Sequence, residues 1–142
     1  MSEKILFIDD EKDFLEVMSE RMTARNMKVS TAASAKEGLT IAAEGSFDAV
    51  ILDLAMPEMN GIEVLKILKE KNPDLEVILL TGHATVKDGI EAMKLGALDL
   101  LEKPADINAL TEKIRAAQAK KMVIVEKKSE EMVKKIMATK GW

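Results

Sequence analysis

Five times in succession, a short apolar run of strand length gives way to a longer stretch in which apolar residues recur every three or four positions. The strand-length runs are Lys4–Ile8, Lys28–Ala32, Ala49–Asp53, Glu76–Thr81 and Leu98–Glu102. The helical periods fall over Lys12–Arg25, Ser34–Ala43, Gly61–Lys71, Thr85–Leu95 and Asp106–Lys121. Such an alternation, joined by short connections, implies right-handed crossovers, a parallel sheet and helices on both of its faces. The fold class is therefore α/β, a doubly wound parallel sheet of five strands. Ile5-Leu6-Phe7-Ile8, Val50-Ile51-Leu52 and Val77-Ile78-Leu79-Leu80 are apolar at every position, as central strands buried on both sides must be. Lys28-Val29-Ser30-Thr31 is more polar and reads as an edge.

The helical segments carry their own punctuation. In the first, Phe14, Leu15, Met18 and Met22 form an apolar stripe while Lys12, Glu16, Glu20 and Arg21 take other faces. Ser34 with Glu37 fits a capping box, Gly45 ends the second helix, Asn72-Pro73 stops the third and Gly96 follows the fourth. The ten methionines read as flexible core filling.

A chain of 142 residues, 47% apolar and 32% charged, is one globular domain or one domain with a modest appendage, and it buries enough surface to need no staple. With no cysteine there is no disulfide framework, thiol nucleophile or thiolate metal site. No apolar window is long enough to span a membrane and Met1-Ser2-Glu3-Lys4 does not open a signal peptide, so a cytoplasmic location is expected. The net charge of -4 argues against a surface built to bind nucleic acid. That charge is uneven: residues 1–104 carry a net of -8 and residues 105–142 a net of +4. A basic tail with no aromatic residue before Trp142 reads as a solvated helix face.

In an open parallel sheet, ligands bind beyond the carboxyl ends of the strands. The first strand runs into Asp9-Asp10-Glu11, the third into Asp53, the fourth into Thr81-Gly82 and the fifth into Glu102-Lys103-Pro104. Each has a plain structural explanation when taken singly. Together, however, carboxylates converging on one mouth repel each other unless a cation or proton compensates. Oxygen ligands without His or Cys point to Mg²⁺. A carboxylate can also attack a phosphoryl group if positive charge stabilises the transferring oxygens. Asp53, alone at the end of a central strand, is the best nucleophile candidate, with Asp9 and Asp10 better suited to metal. Lys103 offers a point charge and Thr81 a hydroxyl donor to such a group.

The series Asp9-Asp10-Glu11, Asp53-Leu54-Ala55-Met56-Pro57-Glu58-Met59-Asn60-Gly61, Thr81-Gly82-His83-Ala84 and Lys103-Pro104 resembles the receiver domain of bacterial two-component response regulators. The resemblance covers about residues 3–120, and the run from Thr81 to Pro104 looks most like receivers of sigma-54-dependent activators. It implies a flavodoxin-like fold with strand order 2-1-3-4-5. It also implies that Asp53 is the phosphoacceptor, that Asp10 binds Mg²⁺ directly and Asp9 through water, and that the backbone carbonyl of Ala55 is a further ligand. Thr81 matches the switch hydroxyl and Lys103 its paired lysine; Pro104 follows in a bond often cis in this family, and Ala55 and His83 stand where side chains tune hydrolysis of the phosphate. One position departs from the pattern: the family often has an aromatic residue three places before the lysine, and here it is Leu100.

The implied partners are a sensor histidine kinase or phosphotransfer protein and a downstream protein, with no direct nucleic-acid or membrane contact. The expected organisation is a receiver over residues 1–121 and a C-terminal helical extension or linker over 122–142. Met122, Val125, Met132 and Ile136 form a short heptad seam if Ser129 takes the missing place, which suits self-association as a homodimer. Beyond the receiver the chain is too short for an ATPase module and lacks the spacing of a helix-turn-helix, leaving open a stand-alone regulator or the front of a larger one. Two other functions are open to this sequence. One is a phosphorylation-independent scaffold, disfavoured by the intact acceptor, metal and switch positions. The other is a Mg²⁺ phosphohydrolase, disfavoured because Ala55 stands where a second carboxylate is usual.

Overall fold

The computed structural model describes residues 2–82 and 85–139. Ten elements alternate along the chain: β1 (Lys4–Ile8), α1 (Lys12–Thr23), β2 (Lys28–Ala32), α2 (Ala35–Glu44), β3 (Ala49–Leu52), α3 (Gly61–Lys71), β4 (Val77–Thr81), α4 (Val86–Lys94), β5 (Asp99–Glu102) and α5 (Ile107–Thr139). The strands form one sheet in the order β2-β1-β3-β4-β5. Every pairing is parallel, with Ile5 against Ala49 and Val50 against Val77 at the centre. Strand order reverses between β1 and β3, so a crevice opens beyond their carboxyl ends. Among the described residues no helix is long and apolar enough to cross a membrane.

Side chains alternate across a strand, and this alternation divides the core in two. Leu6, Ile8, Val50, Leu52, Val77 and Leu79 face α2, α3 and α4, where Ile62, Leu65, Leu68 and Ala92 meet them. Ile5, Phe7, Ala49, Ile51, Ile78 and Leu80 face α1 and α5, against Leu15, Met18, Met22, Leu110, Ile114 and Ala117. The apolar stripe of α1 is therefore core, with Phe14 only half-buried at its edge. β2 is an edge strand, as its composition requires.

Caps set the helix ends. Ser34 Oγ accepts from Glu37 N at 3.1 Å, and Glu37 Oε2 accepts in return from Ala33 N at 3.2 Å, one residue before the cap itself. Asn60 caps α3, Thr85 caps α4, and Asp106 takes the N–H groups of Asn108 and Ala109 at the start of α5. Several boundaries differ from the sequence expectation. α1 stops at Thr23 because the chain turns through Asn26 at φ 64°, and Gly96 at φ 95° closes α4. β3 ends at Leu52, which puts Asp53 one residue beyond the sheet.

α5 runs unbroken from Ile107 to Thr139, the extended C-terminal helix that the sequence predicts. Its cations are not a solvated face throughout. Carboxylates near the starts of four strands meet them: Asp99 with Lys113 at 2.6 Å, Glu3 with Arg115 at 3.4 Å, Glu76 with Lys120 at 3.1 Å and Asp48 with Lys121 at 3.7 Å. Lys128 adds a pair with Asp74. Burial of the partly exposed Asp99 carboxyl opposes its ionisation, but the Lys113 hydrogen bond, the Leu100 N–H and the Lys113 charge together outweigh that and hold the group below its ordinary range.

Candidate functional site

Two loops of the same local design form the mouth. Asp9 N donates to Ala32 O and Asp53 N to Ile8 O, so the sheet ladder carries one residue past each strand. Each aspartate then turns the chain by accepting the N–H two residues ahead: Asp9 Oδ1 from Glu11 N at 2.9 Å, and Asp53 Oδ1 from Ala55 N at 3.3 Å. The second oxygen of each is left for longer-range work. Lys103 Nζ lies 2.7 Å from Asp9 Oδ2 and 3.9 Å from Asp53 Oδ2.

The loop bearing Asp53 is pinned by a close approach. A Cβ on Gly61 would stand 2.4 Å from Asp53 O and 2.6 Å from Leu54 Cα, so no side chain fits where α3 begins. Gly61 N completes the junction by donating to Leu54 O at 2.7 Å. Lys103 is positioned from the opposite side of the mouth, at the end of β5. Its N–H donates to Thr81 O at 2.8 Å and its bond to Pro104 is cis.

Oxygen atoms from Asp9, Asp10 and Asp53 all lie within 4.8 Å of one another. Asp9 and Asp53 are buried and Asp10 is exposed, so the cluster opens to solvent on one side. Burial pushes the Asp9 carboxyl above its ordinary range, against the pull of Lys103. Burial does the same to Asp53, aided by the neighbouring negative charge of Asp9. For Lys103 burial alone would lower the value, but the Asp9 hydrogen bond and the surrounding carboxylates raise it overall. Three hard oxygen donors with solvent access on one side fit Mg²⁺, which keeps several of its waters.

Of the residues read from the sequence, Asp9, Asp10, Asp53 and Lys103 come together in this mouth. Thr81 is buried at the end of β4, beside Glu102 in the sheet register. Ala55 is two residues beyond Asp53 and exposed. Leu100 is half-buried on the α4 side of the sheet, where a Cβ on Gly89 would lie 3.5 Å from its Cδ2. His83 lies outside the described residues. Two further groups had been read only as part of a motif and part of a stripe. Glu11 Oε1 stands 3.5 Å from Lys103 Nζ, and that ammonium rests 4.1 Å from the centre of the Phe14 ring. The sequence signal for Phe14 was its place at the end of the apolar stripe nearest the acidic run.

Residues 5–115 match the family model of the response regulator receiver domain. The photosynthetic apparatus regulatory protein RegA of Cereibacter sphaeroides is 35% identical over 79% of this chain and 61% of its own length. The C4-dicarboxylate transport transcriptional regulatory protein DctD of Pseudomonas aeruginosa is 32% identical over 89% of this chain and 27% of its own. The chain thus spans less than two thirds of either relative. Among solved structures, a receiver domain protein from Clostridium thermocellum superposes with a TM-score of 0.82 at 37% identity, covering 87% of this chain and 99% of that one.

Proposed function

The chain belongs to the response regulator receiver family, and on that premise we propose that Asp53 is its phosphoacceptor, with Asp9, Asp10, Asp53 and the Ala55 carbonyl holding Mg²⁺. Phosphorylation on aspartate within two-component signalling is the general property of the family, and its members generally bind Mg²⁺ at an acidic pocket. The observation that carries the assignment is geometric: the free Asp53 oxygen faces both the acidic cluster and the Lys103 ammonium, at 3.9 Å.

A carboxylate oxygen of Asp53 forms a P–O bond as the P–N bond of a donor phosphohistidine breaks, the electron pair returning to the imidazole. Lys103 neutralises one phosphoryl oxygen and the Thr81 hydroxyl donates to another. Mg²⁺ held by Asp9, Asp10, Asp53 and the Ala55 carbonyl would supply charge neutralisation at the transferring oxygens. The donor is a sensor histidine kinase or phosphotransfer protein in the cytoplasm, and the altered surface is read by a downstream protein. Intact-mass measurement after incubation with acetyl phosphate tests the core of this. One added phosphoryl group is expected, dependent on Mg²⁺ and lost in Asp53→Asn; an equal gain in Asp53→Asn sinks the assignment. No gain in folded protein that still binds Mg²⁺ would support the phosphorylation-independent scaffold instead.

Self-association belongs to the same reading, with the receiver over residues 1–121 and the extension as its coupling arm. Met122, Val125, Met132 and Ile136 are all about half exposed or more on α5, and Val133 and Met137 broaden the stripe. A second copy covers such a stripe with its own. Light scattering is expected to give a dimer for the chain and a monomer for Met132→Lys with Ile136→Lys. A monomer in both cases rejects the pairing.

A further inference from the structure

At the end of the sheet opposite the acidic mouth, α2 and α3 both terminate over a cavity of about 260 Å³. Leu39, Phe47, Leu68 and Leu75 line its floor, and Ile124 and Val125 of α5 line its roof. The roof is held in place by polar contacts at two points. Lys121 Nζ donates to Ser46 Oγ at 2.9 Å and to Phe47 O at 3.3 Å, and one turn beyond Val125 Lys128 pairs with Asp74. These contacts hold the extension against the receiver as far as Lys128.

The chemistry of this cavity is specific. Of its five charged groups, Asp48 pairs with Lys121 and Asp74 with Lys128, while Lys71, at the end of α3, is exposed to solvent. Its helical walls are carboxyl ends, which present carbonyl oxygens and partial negative charge. Ile41 O takes the N–H of Gly45 and Leu68 O that of Asn72, and the carbonyls of Ala42 and Ala43 lie past the last helical bond of α2. Such walls favour a hydrogen-bond donor and disfavour an anion, while floor and roof favour an apolar ring. The volume lies just below the usual range for ligand pockets, about 300–1,000 Å³, so the occupant is small.

We propose that this cavity is a binding site for a small, uncharged, ring-sized molecule carrying one hydrogen-bond donor, which would tie the α5 arm to the α2 and α3 ends. The site is remote from Asp53 and its occupancy does not depend on phosphorylation. Indole is the probe, followed by amide chemical shifts in the full chain. Saturable shifts are expected at Gly45, Asp74, Leu75 and Val125, and 1-methylindole, which lacks the donor, should bind about tenfold more weakly. Two variants fill the space from different sides, Ala42→Leu on α2 and Ile124→Trp on α5, so that misfolding of one leaves the other informative. Each should abolish the shifts and leave phosphorylation by acetyl phosphate intact. Absence of saturable shifts up to the solubility of indole, or shifts unchanged in a folded filled variant, overturns the site. Equal binding of indole and 1-methylindole overturns the donor requirement, and with it the proposed ligand class.

Discussion

Asp9 and Asp53 each commit one oxygen to their own loop and turn the other toward a single ammonium, so the mouth holds more negative charge than Lys103 can neutralise. Burial keeps both carboxyls above the ordinary value of 3.8, so the folded protein takes up protons at a pH where the unfolded chain does not. For a raised carboxyl the sign is destabilising near neutrality, and the penalty is relieved as pH falls through the raised values toward the unfolded one. Melting temperatures in chelator should therefore rise as the pH falls from neutrality through the raised carboxyl values, and rise less in Asp53→Asn; a flat or falling curve in the parent contradicts the crowding. Removing one charge by Asp10→Ala should raise the metal-free melting temperature by about 2 °C and abolish the gain from Mg²⁺. The five principal residues of this mouth were legible because a parallel sheet sends every strand's carboxyl end to one rim, so Asp9, Asp10, Asp53, Thr81 and Lys103 needed only strand positions to be gathered. Glu11 and Phe14 were not, because their contacts with Lys103 cross from β5 to α1, and no periodicity within either segment encodes that pairing.

Of the five helices, α4 is the most weakly anchored. Ala92 is its one fully buried residue, Val86, Ile90 and Met93 face solvent, and Gly89 sits mid-helix where a Cβ would meet Leu100 only at ordinary contact distance. Glycine there costs about 1 kcal/mol of helix stability relative to alanine. Leu100 supports this helix from beneath, in the place where the family often has an aromatic ring. An aliphatic side chain repacks over a shorter distance and carries no phenol to meet a partner, so the surface change at α4, β5 and α5 is expected to be reduced. Amide shifts on adding beryllofluoride and Mg²⁺ should be smaller at this surface than in Leu100→Tyr; shifts of equal size argue against a role for residue 100. Element identity was readable throughout, since the apolar period separates strands from helices, but ends were not. The turn at Asn26 depends on a left-handed residue, which local pattern does not register.

At the scale of the whole molecule, the sheet separates two cores. Met22 and Ile114 belong to one cluster, Leu65 and Leu68 to the other. Truncations on opposite sides should add in stability to within about 0.5 kcal/mol, whereas neighbouring truncations on one side should couple more strongly. Denaturant titration of Met22→Ala, Leu68→Ala and their double variant measures the first case; a strong coupling across the sheet would falsify the separation. The order of strands followed from the family resemblance and the site from the strand ends, whereas the face on which each helix packs is a finding of the structure. The docking of the α5 arm did not follow from sequence, because it rests on charges brought together from four separate strand starts. The two-sided core has an evolutionary reading as well. A lineage can rework the residues beneath α2, α3 and α4 while those beneath α1 and α5 stay as they are, so inheritance on one side places little constraint on novelty on the other.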